Sequence, residues 1–211
     1  NKLNNLLNFF FNSEIVKTYN RNLNLNGFTP LGLFWSSKKS QYDRFDTLLF
    51  LIMKFKFKHR LSISDIGCGY GSLLAYFREK KIDFYYSGYD INKSLIKYCV
   101  KNYPTNLFKV SYFPTEFSDL TIASGTYNYT VTNNVQIWEE YILFNLKKCM
   151  TKSKIGLIFN LQFTRKKSFI KNNIYYTNIE FMFDKLQKEF LRVTKFYSTK
   201  NLNDIYFIIL K

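Results

Sequence analysis

Three glycines at alternate positions, preceded by an acidic residue, form the stretch of this sequence best suited to bind a ligand. Gly67, Gly69 and Gly71 follow Asp65 in the segment S-D-I-G-C-G-Y-G-S, residues 64–72. Glycine lets the backbone turn sharply and approach a ligand closely. The third glycine comes one residue too early for the dinucleotide fingerprint G-x-G-x-x-G. A carboxylate before the loop also suits a cationic amino group better than a pyrophosphate.

A second acidic residue, Asp90, follows Gly71 by nineteen positions, at the end of a predicted strand over residues 84–89. In nucleotide-binding sheets, a carboxylate at the end of the second strand binds both hydroxyls of a ribose. The glycine segment and Asp90 together predict a nucleoside cofactor. A glycine-rich turn without a ligand and an NAD(P) site are the alternatives.

The elements that must position these residues alternate along the chain. Apolar spacing predicts helices over residues 2–19, 72–81, 94–102, 135–150 and 179–189, and one more that Ser40 caps and whose apolar face runs from Phe45 to Met53. It predicts strands over residues 61–66, 84–89, 107–112, 120–123, 155–163, 192–197 and 205–210, and Gly27, Pro30 and Gly32 predict a loop over residues 20–39. Such alternation favours a mostly parallel sheet, and the last two strands, which no helix separates, favour an antiparallel pair.

The two motifs resemble the S-adenosylmethionine site of class I methyltransferases. From about residue 25 onward, the chain resembles a group of small bacterial class I methyltransferases of unassigned substrate. Further residues that carry this resemblance are Gly27, Pro30, Trp35, Gln41, Arg44, Phe45, Tyr86, Gly88, Ser124-Gly125-Thr126-Tyr127-Asn128, Phe159-Asn160 and Tyr175-Tyr176.

The resemblance implies an α/β, Rossmann-like fold with a seven-stranded, mostly parallel sheet and an antiparallel last strand. It implies an N-terminal helical cap over residues 1–58 and an S-adenosylmethionine-binding catalytic domain over residues 59–211, the two forming one folding unit. The implied cofactor is S-adenosyl-L-methionine, and the product formed from it is S-adenosyl-L-homocysteine. The implied setting is the bacterial cytoplasm.

The resemblance also implies roles for individual residues. Those expected to bind the cofactor are Trp35, Gln41, Arg44, Asp65, Gly67, Cys68, Gly69, Gly71, Asp90, Ile91, Tyr112, Phe113, Ser124 and Gly125. Arg44 suits the cofactor's carboxylate, and Trp35 can cover its methionine part or attract its sulfonium. Tyr112 stands where many members carry an aspartate that binds the adenine amino group.

The residues expected to be catalytic are Tyr127, Asn128 and Asn160. His59 is the only histidine in the sequence and lies in the basic run 54–60, outside these motifs. Proton abstraction would then fall to another side chain, or positioning alone would suffice, because methyl transfer is an in-line displacement at an activated carbon.

Composition narrows the function further. The 211 residues carry a net charge of +16, concentrated in the two flanks, while residues 61–150 are nearly neutral. Three cysteines argue against a disulfide framework. The apolar run 48–53 is far too short to span a membrane. We also expect no signal peptide and no metal. The segment S-G-T-Y differs from the [DN]-P-P-[FY] typical of DNA amino methylation. We therefore expect a small-molecule or sugar-type acceptor of unknown identity, with an RNA acceptor or a non-catalytic cofactor-binding module as alternatives.

Overall fold

One sheet, parallel in its middle and antiparallel at one edge, separates two layers of helices in the computed structural model, which describes residues 2–55 and 57–211. The helices are α1 Lys2–Asn26, α2 Lys38–Met53, α3 Ser72–Glu79, α4 Lys93–Asn102, α5 Val135–Lys152 and α6 Ile179–Glu189, with a short 3₁₀ turn at Leu31–Leu33. The strands are β1 Ser62–Ile66, β2 Tyr85–Asp90, β3 Leu107–Val110, β4 Ser118–Ala123, β5 Ser153–Thr164, β6 Phe169–Lys171, β7 Ile174–Asn178, β8 Arg192–Tyr197 and β9 Asp204–Leu210.

The strand order confirms the predicted architecture. Parallel neighbours run in the order β3-β2-β1-β4-β5, and β9 pairs antiparallel with both β5 and β8. These seven strands form the predicted Rossmann-like sheet with its antiparallel last strand. Because β1, β2 and β4 are parallel, their carboxyl ends meet at one edge, which is where ligands bind in open α/β sheets.

A hairpin of β6 and β7 was not predicted. Strand β7 lies parallel to the last three residues of β5, Gln162–Thr164, and β6 folds back antiparallel onto β7. Asn172 and Asn173 join them with φ angles of 52° and 61°. Two consecutive residues with positive φ match the turn type that suits the twist of a two-residue hairpin, and asparagine tolerates this conformation. Adjacent asparagines between β-forming segments were therefore a signal in the sequence.

The two faces of the sheet are covered by separate apolar clusters. On one face, Phe159 and Leu161 of β5 pack with Trp138 of α5. On the other face, Ile158 of β5 packs with Leu48 of α2. Alternation along β5 thus sends successive side chains to opposite layers.

The N-terminal elements differ in their bounds from the prediction. Helix α1 continues to Asn26, because Gly27 takes a φ of 67° and its N–H closes the helix on the Leu23 carbonyl. The loop predicted over residues 20–39 is therefore shorter. The prediction that Ser40 caps α2 was wrong, since Ser37 is the capping residue and its hydroxyl accepts from the Ser40 N–H.

Helix α1 lies against α5, where the Phe11 ring packs 5.9 Å from Trp138 and 5.6 Å from Tyr141. Asn8 and Asn12 form hydrogen bonds to Asn145 and Tyr141. Positions 1 and 56, which fall within the predicted cap segment, lie outside the described residues. Across the described helices, none has the length and hydropathy required to cross a membrane.

Candidate active site

A cavity of about 270 Å³ opens at the carboxyl ends of β1, β2 and β4. Eleven of the residues predicted for the site line it: Trp35, Arg44, Gly67, Gly69, Asp90, Ile91, Tyr112, Ser124, Gly125, Tyr127 and Asn128. Six of the predicted residues do not line it: Gln41, Asp65, Cys68, Gly71, Phe113 and Asn160. The structure therefore brings the glycine segment, the end of β2 and the segment after β4 together around one space.

The glycine segment turns tightly between β1 and α3. Gly67, Gly69 and Gly71 have φ angles of 70°, 58° and 84°, a region that side chains disfavour. Gly71 does not reach the cavity, because it caps α3 and a Cβ there would lie 2.7 Å from the Tyr103 ring. The first two glycines thus shape the cavity wall, while the third allows close packing behind it.

Asp90 combines access to the cavity with bonds to the loops around it. Its carboxylate accepts from the backbone N–H of Gly69 at 2.9 Å and of Asn92 at 2.8 Å. Burial raises the pKa of Asp90 to about 6, while these backbone bonds oppose the rise. Asp90 is therefore held rigidly at the cavity wall as a hydrogen-bond acceptor.

Asp65 lies beneath the glycine segment instead of in the cavity. Its carboxylate accepts from the Tyr86 hydroxyl at 2.6 Å, and burial raises the pKa of Asp65 to about 7. Gln41 is also buried, and its amide donates to the Ser72 hydroxyl at 3.0 Å. Both side chains hold the segment and α3 in place from outside the cavity.

Two further predicted residues pack away from the cavity. Cys68 is buried beneath the segment, where burial first and then neighbouring groups raise the pKa of its thiol well above the usual value. Phe113 packs against the apolar cluster below α5, with its ring 4.9 Å from that of Tyr112. Tyr112, the residue in the place of the family's usual aspartate, does line the cavity.

Arg44 is engaged in a buried ion pair with Asp204 of β9. Its Nε and Nη2 donate to the two carboxylate oxygens, and its Nη1 donates to the Ser40 hydroxyl at 3.0 Å. Burial raises the pKa of Asp204, and the Arg44 charge opposes this. Most Arg44 donors are thus occupied within the protein, so little of the guanidinium is left for a cofactor carboxylate. The guanidinium carbon lies 4.8 Å from the centre of the Trp35 ring and supports it from behind.

Asn160 extends this network from β5. Its amide nitrogen donates to Asp204 at 3.2 Å, and its amide oxygen accepts from the Gly125 N–H at 2.8 Å. The side chain is fully buried. Asn160 therefore links the Arg44–Asp204 pair to the loop after β4, which lies at the cavity wall, without reaching the cavity.

The predicted catalytic residues of the loop after β4 show no poised base. Tyr127 is 2% exposed, and burial raises the pKa of its hydroxyl well above the ordinary value, next to Cys149. The Asn128 side-chain oxygen accepts from the Gln162 N–H at 2.9 Å. Asn128 thus joins this loop to β5, while the Ser124 hydroxyl is buried at the cavity with no hydrogen-bond partner in the described residues.

Three aromatic rings at one wall of the cavity were not predicted from the sequence. Tyr19 of α1 packs edge-on against Phe34 at 5.1 Å, and Phe34 stacks on Tyr129 at 5.4 Å. All three rings line the cavity. The three rings come from distant parts of the chain, so no local spacing could have revealed them. Other lining residues not predicted are Ile15, Val16, Leu33, Ser36, Ser40, Ile66, Asn92, Leu95, Ser111, Thr126, Tyr141, Asn145, Gln162 and Ile174.

His59 lies outside the cavity. Its side chain is 60% exposed and stands 3.4 Å from Asp119, at the opposite edge of the sheet, before β1. Within residues 2–55 and 57–211, no cluster of three potential metal-binding side chains occurs.

Comparison with known proteins agrees with this geometry. Residues 63–151 match the family described as a methyltransferase domain. A Mycobacterium tuberculosis protein named as a methyltransferase, Rv1506c, is 25% identical over 133 residues, which cover 61% of this chain and 80% of that protein.

Solved structures share the fold at low identity. An S-adenosylmethionine-dependent methyltransferase of Leishmania major superposes with a TM-score of 0.65 at 11% identity, covering 92% of this chain and 82% of that one. Magnesium protoporphyrin IX methyltransferase of Synechocystis, with bound S-adenosylmethionine, superposes with a TM-score of 0.54 at 13% identity, covering 82% and 80%. The match of residues 63–151 to a methyltransferase domain, the glycine segment, the carboxylate ending β2 and the strand order together support a class I S-adenosylmethionine-dependent methyltransferase.

Proposed function

We propose that this enzyme methylates an oxygen or nitrogen atom of a small-molecule or sugar-type acceptor. One observation carries the proposal: a single cavity is lined at one end by Gly67, Gly69 and Asp90, and at the other by Asn128 and Gln162. We call these ends the cofactor half and the acceptor half. A donor in the first and an acceptor in the second would meet in one partly enclosed space.

The residues of the cofactor half suit S-adenosylmethionine. Asp90 offers carboxylate oxygens for the ribose hydroxyls, and the positive-φ backbone at Gly67 and Gly69 leaves room for the ligand. The unpartnered Ser124 hydroxyl gains a hydrogen-bond partner when a ligand fills the cavity. Tyr112 gives an apolar surface for the adenine ring. When bound, the cofactor supplies a methyl group on positively charged sulfur.

The residues of the acceptor half act by position. Neither predicted catalytic side chain there is poised as a base, since burial raises the pKa of Tyr127 well above its ordinary value and the Asn128 amide does not titrate. Asn160 and Asp204 fix the backbone at Gly125. This favours an acceptor that needs no strong base, such as a neutral amine or an already ionised oxygen, held in line with the donor.

The first 58 residues contribute to both halves, and we propose that they act as a cap on the folding unit over residues 59–211. Helix α1 brings Tyr19 to the cavity, the segment before α2 brings Trp35, and α2 brings Arg44. These side chains cover the side that the sheet leaves open. Such a cover limits water around the reacting groups.

Transfer of labelled methyl groups tests the proposal. The enzyme would be incubated with methyl-tritiated S-adenosylmethionine and a panel of phenols, amines, sugars and sugar phosphates, with total RNA in parallel. The proposal expects label in a small product, and less label with Asp90→Ala at subsaturating cofactor. Label recovered only in RNA would support the alternative that the net charge of +16 suggests. Tight cofactor binding without transfer to any acceptor would indicate a non-catalytic binding module.

A further inference from the structure

The β6–β7 hairpin lengthens the acceptor half beyond the sheet. Its Ile174 lines the cavity, and so does Gln162 of β5. Three backbone and side-chain bonds hold the hairpin to the loop after β4: Thr130 N–H to Asn173 O at 2.8 Å, Tyr175 N–H to Asn128 O at 2.8 Å, and Asn173 Nδ2 to Thr130 O at 3.1 Å. The hairpin is therefore a fixed part of the acceptor wall.

Strand register identifies the side chains on the cavity face of the hairpin. Ile174 pairs with Lys171, Tyr176 pairs with Phe169, and Tyr176 pairs with Gln162. Paired residues share a face of a sheet, and so do residues two apart along a strand. Lys171, Phe169 and Tyr176 do not line the cavity themselves, but by this register they stand on the same face as the two residues that do.

The opposite face of the hairpin packs against the apolar core. Tyr175 is fully buried, and its hydroxyl donates to Glu139 of α5 at 2.7 Å. Ile170, its cross-strand partner, packs against the same apolar cluster. The cavity face is different, because its aromatic rings stack at 4.7 Å while Phe169 stays 39% exposed.

The hairpin and β5 carry only basic charges, and the neighbouring carboxylates of Glu139, Glu180 and Asp204 are each paired with a cation. Residues 141–179 contain no acidic residue, and Arg165, Lys166 and Lys167 follow β5 at the base of the hairpin. Lys171 is exposed and forms no ion pair within the residues that the structure describes. A positive potential at the mouth of a site raises the local concentration of anions.

We infer that the acceptor carries an anionic group, phosphate or carboxylate, next to a flat ring, and that the hairpin binds both parts. Lys171 pairs with the anion, and the Phe169–Tyr176 rings form an apolar surface for the ring. This inference rests on the proposed function and narrows its acceptor to an anionic small molecule. An RNA acceptor shares the negative charge, so the test must separate the two.

Calorimetric titration of phenyl phosphate and of phenol into enzyme saturated with S-adenosylhomocysteine tests the inference. Phenyl phosphate should bind at least about tenfold more tightly than phenol. Lys171→Gln should weaken phenyl phosphate by about two- to fivefold, the range expected of one exposed charge pair, and leave phenol unchanged. Phe169→Ala should weaken both probes and leave inorganic phosphate unchanged.

Lys101→Gln is the matched control, because it removes the same charge at an exposed lysine in the last turn of α4, a helix whose other end meets the cavity at Asn92. Equal affinity of phenyl phosphate for Lys171→Gln and Lys101→Gln would overturn the inference, and so would equal binding of phenol and phenyl phosphate. A single-stranded RNA that competes with phenyl phosphate, binds more tightly and weakens steeply with salt would overturn it in favour of a nucleic acid. Failure of S-adenosylhomocysteine itself to bind would instead contradict the proposed function.

Discussion

The cofactor half of the cavity is fixed mainly by the backbone, and the acceptor half is fixed mainly by side chains. In the cofactor half, the positive φ angles at Gly67 and Gly69 shape the cavity wall, and backbone N–H groups hold the Asp90 carboxylate. In the acceptor half, side chains from three elements fix one another, as in the bonds joining Arg44 of α2, Asp204 of β9 and Asn160 of β5. The first arrangement is local in sequence and the second is not, so the two halves should respond differently to substitution.

The largest expected effect is in the cofactor half. Gly69→Val should lower the affinity for S-adenosylhomocysteine at least about 100-fold, because a β-branched side chain at a φ of 58° is strained and its Cβ would lie 2.4 Å from Leu33. Calorimetry measures the affinity. Gly27→Ala is the control, since Gly27 has a φ of 67° with open space around it, outside the cavity. Similar losses in both variants would show that backbone strain alone, and not the cavity, causes the effect.

In the acceptor half, breaking the ion pair should chiefly cost stability. Asp204→Ala leaves the buried Arg44 charge without its partner, which destabilises proteins by about 3 kcal/mol or more. Urea unfolding measures this loss. The double variant Arg44→Met with Asp204→Leu should recover most of it, because no charge is then left buried. No recovery in the double variant would mean that the pair itself, and not the unpaired charge, supplies the stability.

A smaller effect is expected when the Asp90 carboxylate is removed. Asp90→Ala should weaken S-adenosylhomocysteine binding at least about tenfold, since hydrogen bonds to a charged group contribute about 1.5–3 kcal/mol. Asp46→Ala, which removes a partly exposed carboxylate paired with Lys200, should leave the affinity unchanged. Unchanged affinity in Asp90→Ala would remove this residue from the cofactor half.

The smallest expected effect is on pH dependence. The pKa of Asp90 is raised to about 6 in the free protein, and a carboxylate that accepts from ribose hydroxyls binds best when ionised. Affinity for S-adenosylhomocysteine should therefore be full above pH 7 and fall by about tenfold by pH 5, as Asp90 becomes protonated. Titrations of the wild type and of Asp90→Asn at both pH values show how much of the fall in affinity depends on Asp90. A similar fall in Asp90→Asn would assign the pH dependence to another group.

The residues of the cofactor half could be predicted from the sequence far better than those of the acceptor half. The glycine segment and Asp90 were predicted because their spacing is short and their backbone requirement leaves few residue types open. Strands β8 and β9 were predicted as an antiparallel pair because no helix separates them. Asp204 could not be linked to Arg44 from the sequence, since the two are 160 positions apart and meet only through strand pairing.

Several residues predicted to line the cavity lie behind it, and one hairpin was not predicted at all. Asp65 and Cys68 belong to the glycine segment, but both side chains are buried beneath it, where the Asp65 carboxylate accepts from the Tyr86 hydroxyl. Asn160 was expected at the site and lies one layer behind it. The β6–β7 hairpin was missed although Asn172-Asn173 marked its turn, because strands this short give little periodicity.

Thermal unfolding with and without S-adenosylmethionine, S-adenosylhomocysteine and NAD tests most directly whether the cavity is a methyl-donor site. A ligand at about 100 times its dissociation constant stabilises the folded state by about 2.7 kcal/mol, a shift of roughly 5–10 °C for a chain of this size. We expect that shift with the two adenosyl ligands and none with NAD. No shift with either adenosyl ligand, or an equal shift with NAD, would contradict the assignment of Gly67, Gly69 and Asp90 to a methyl donor.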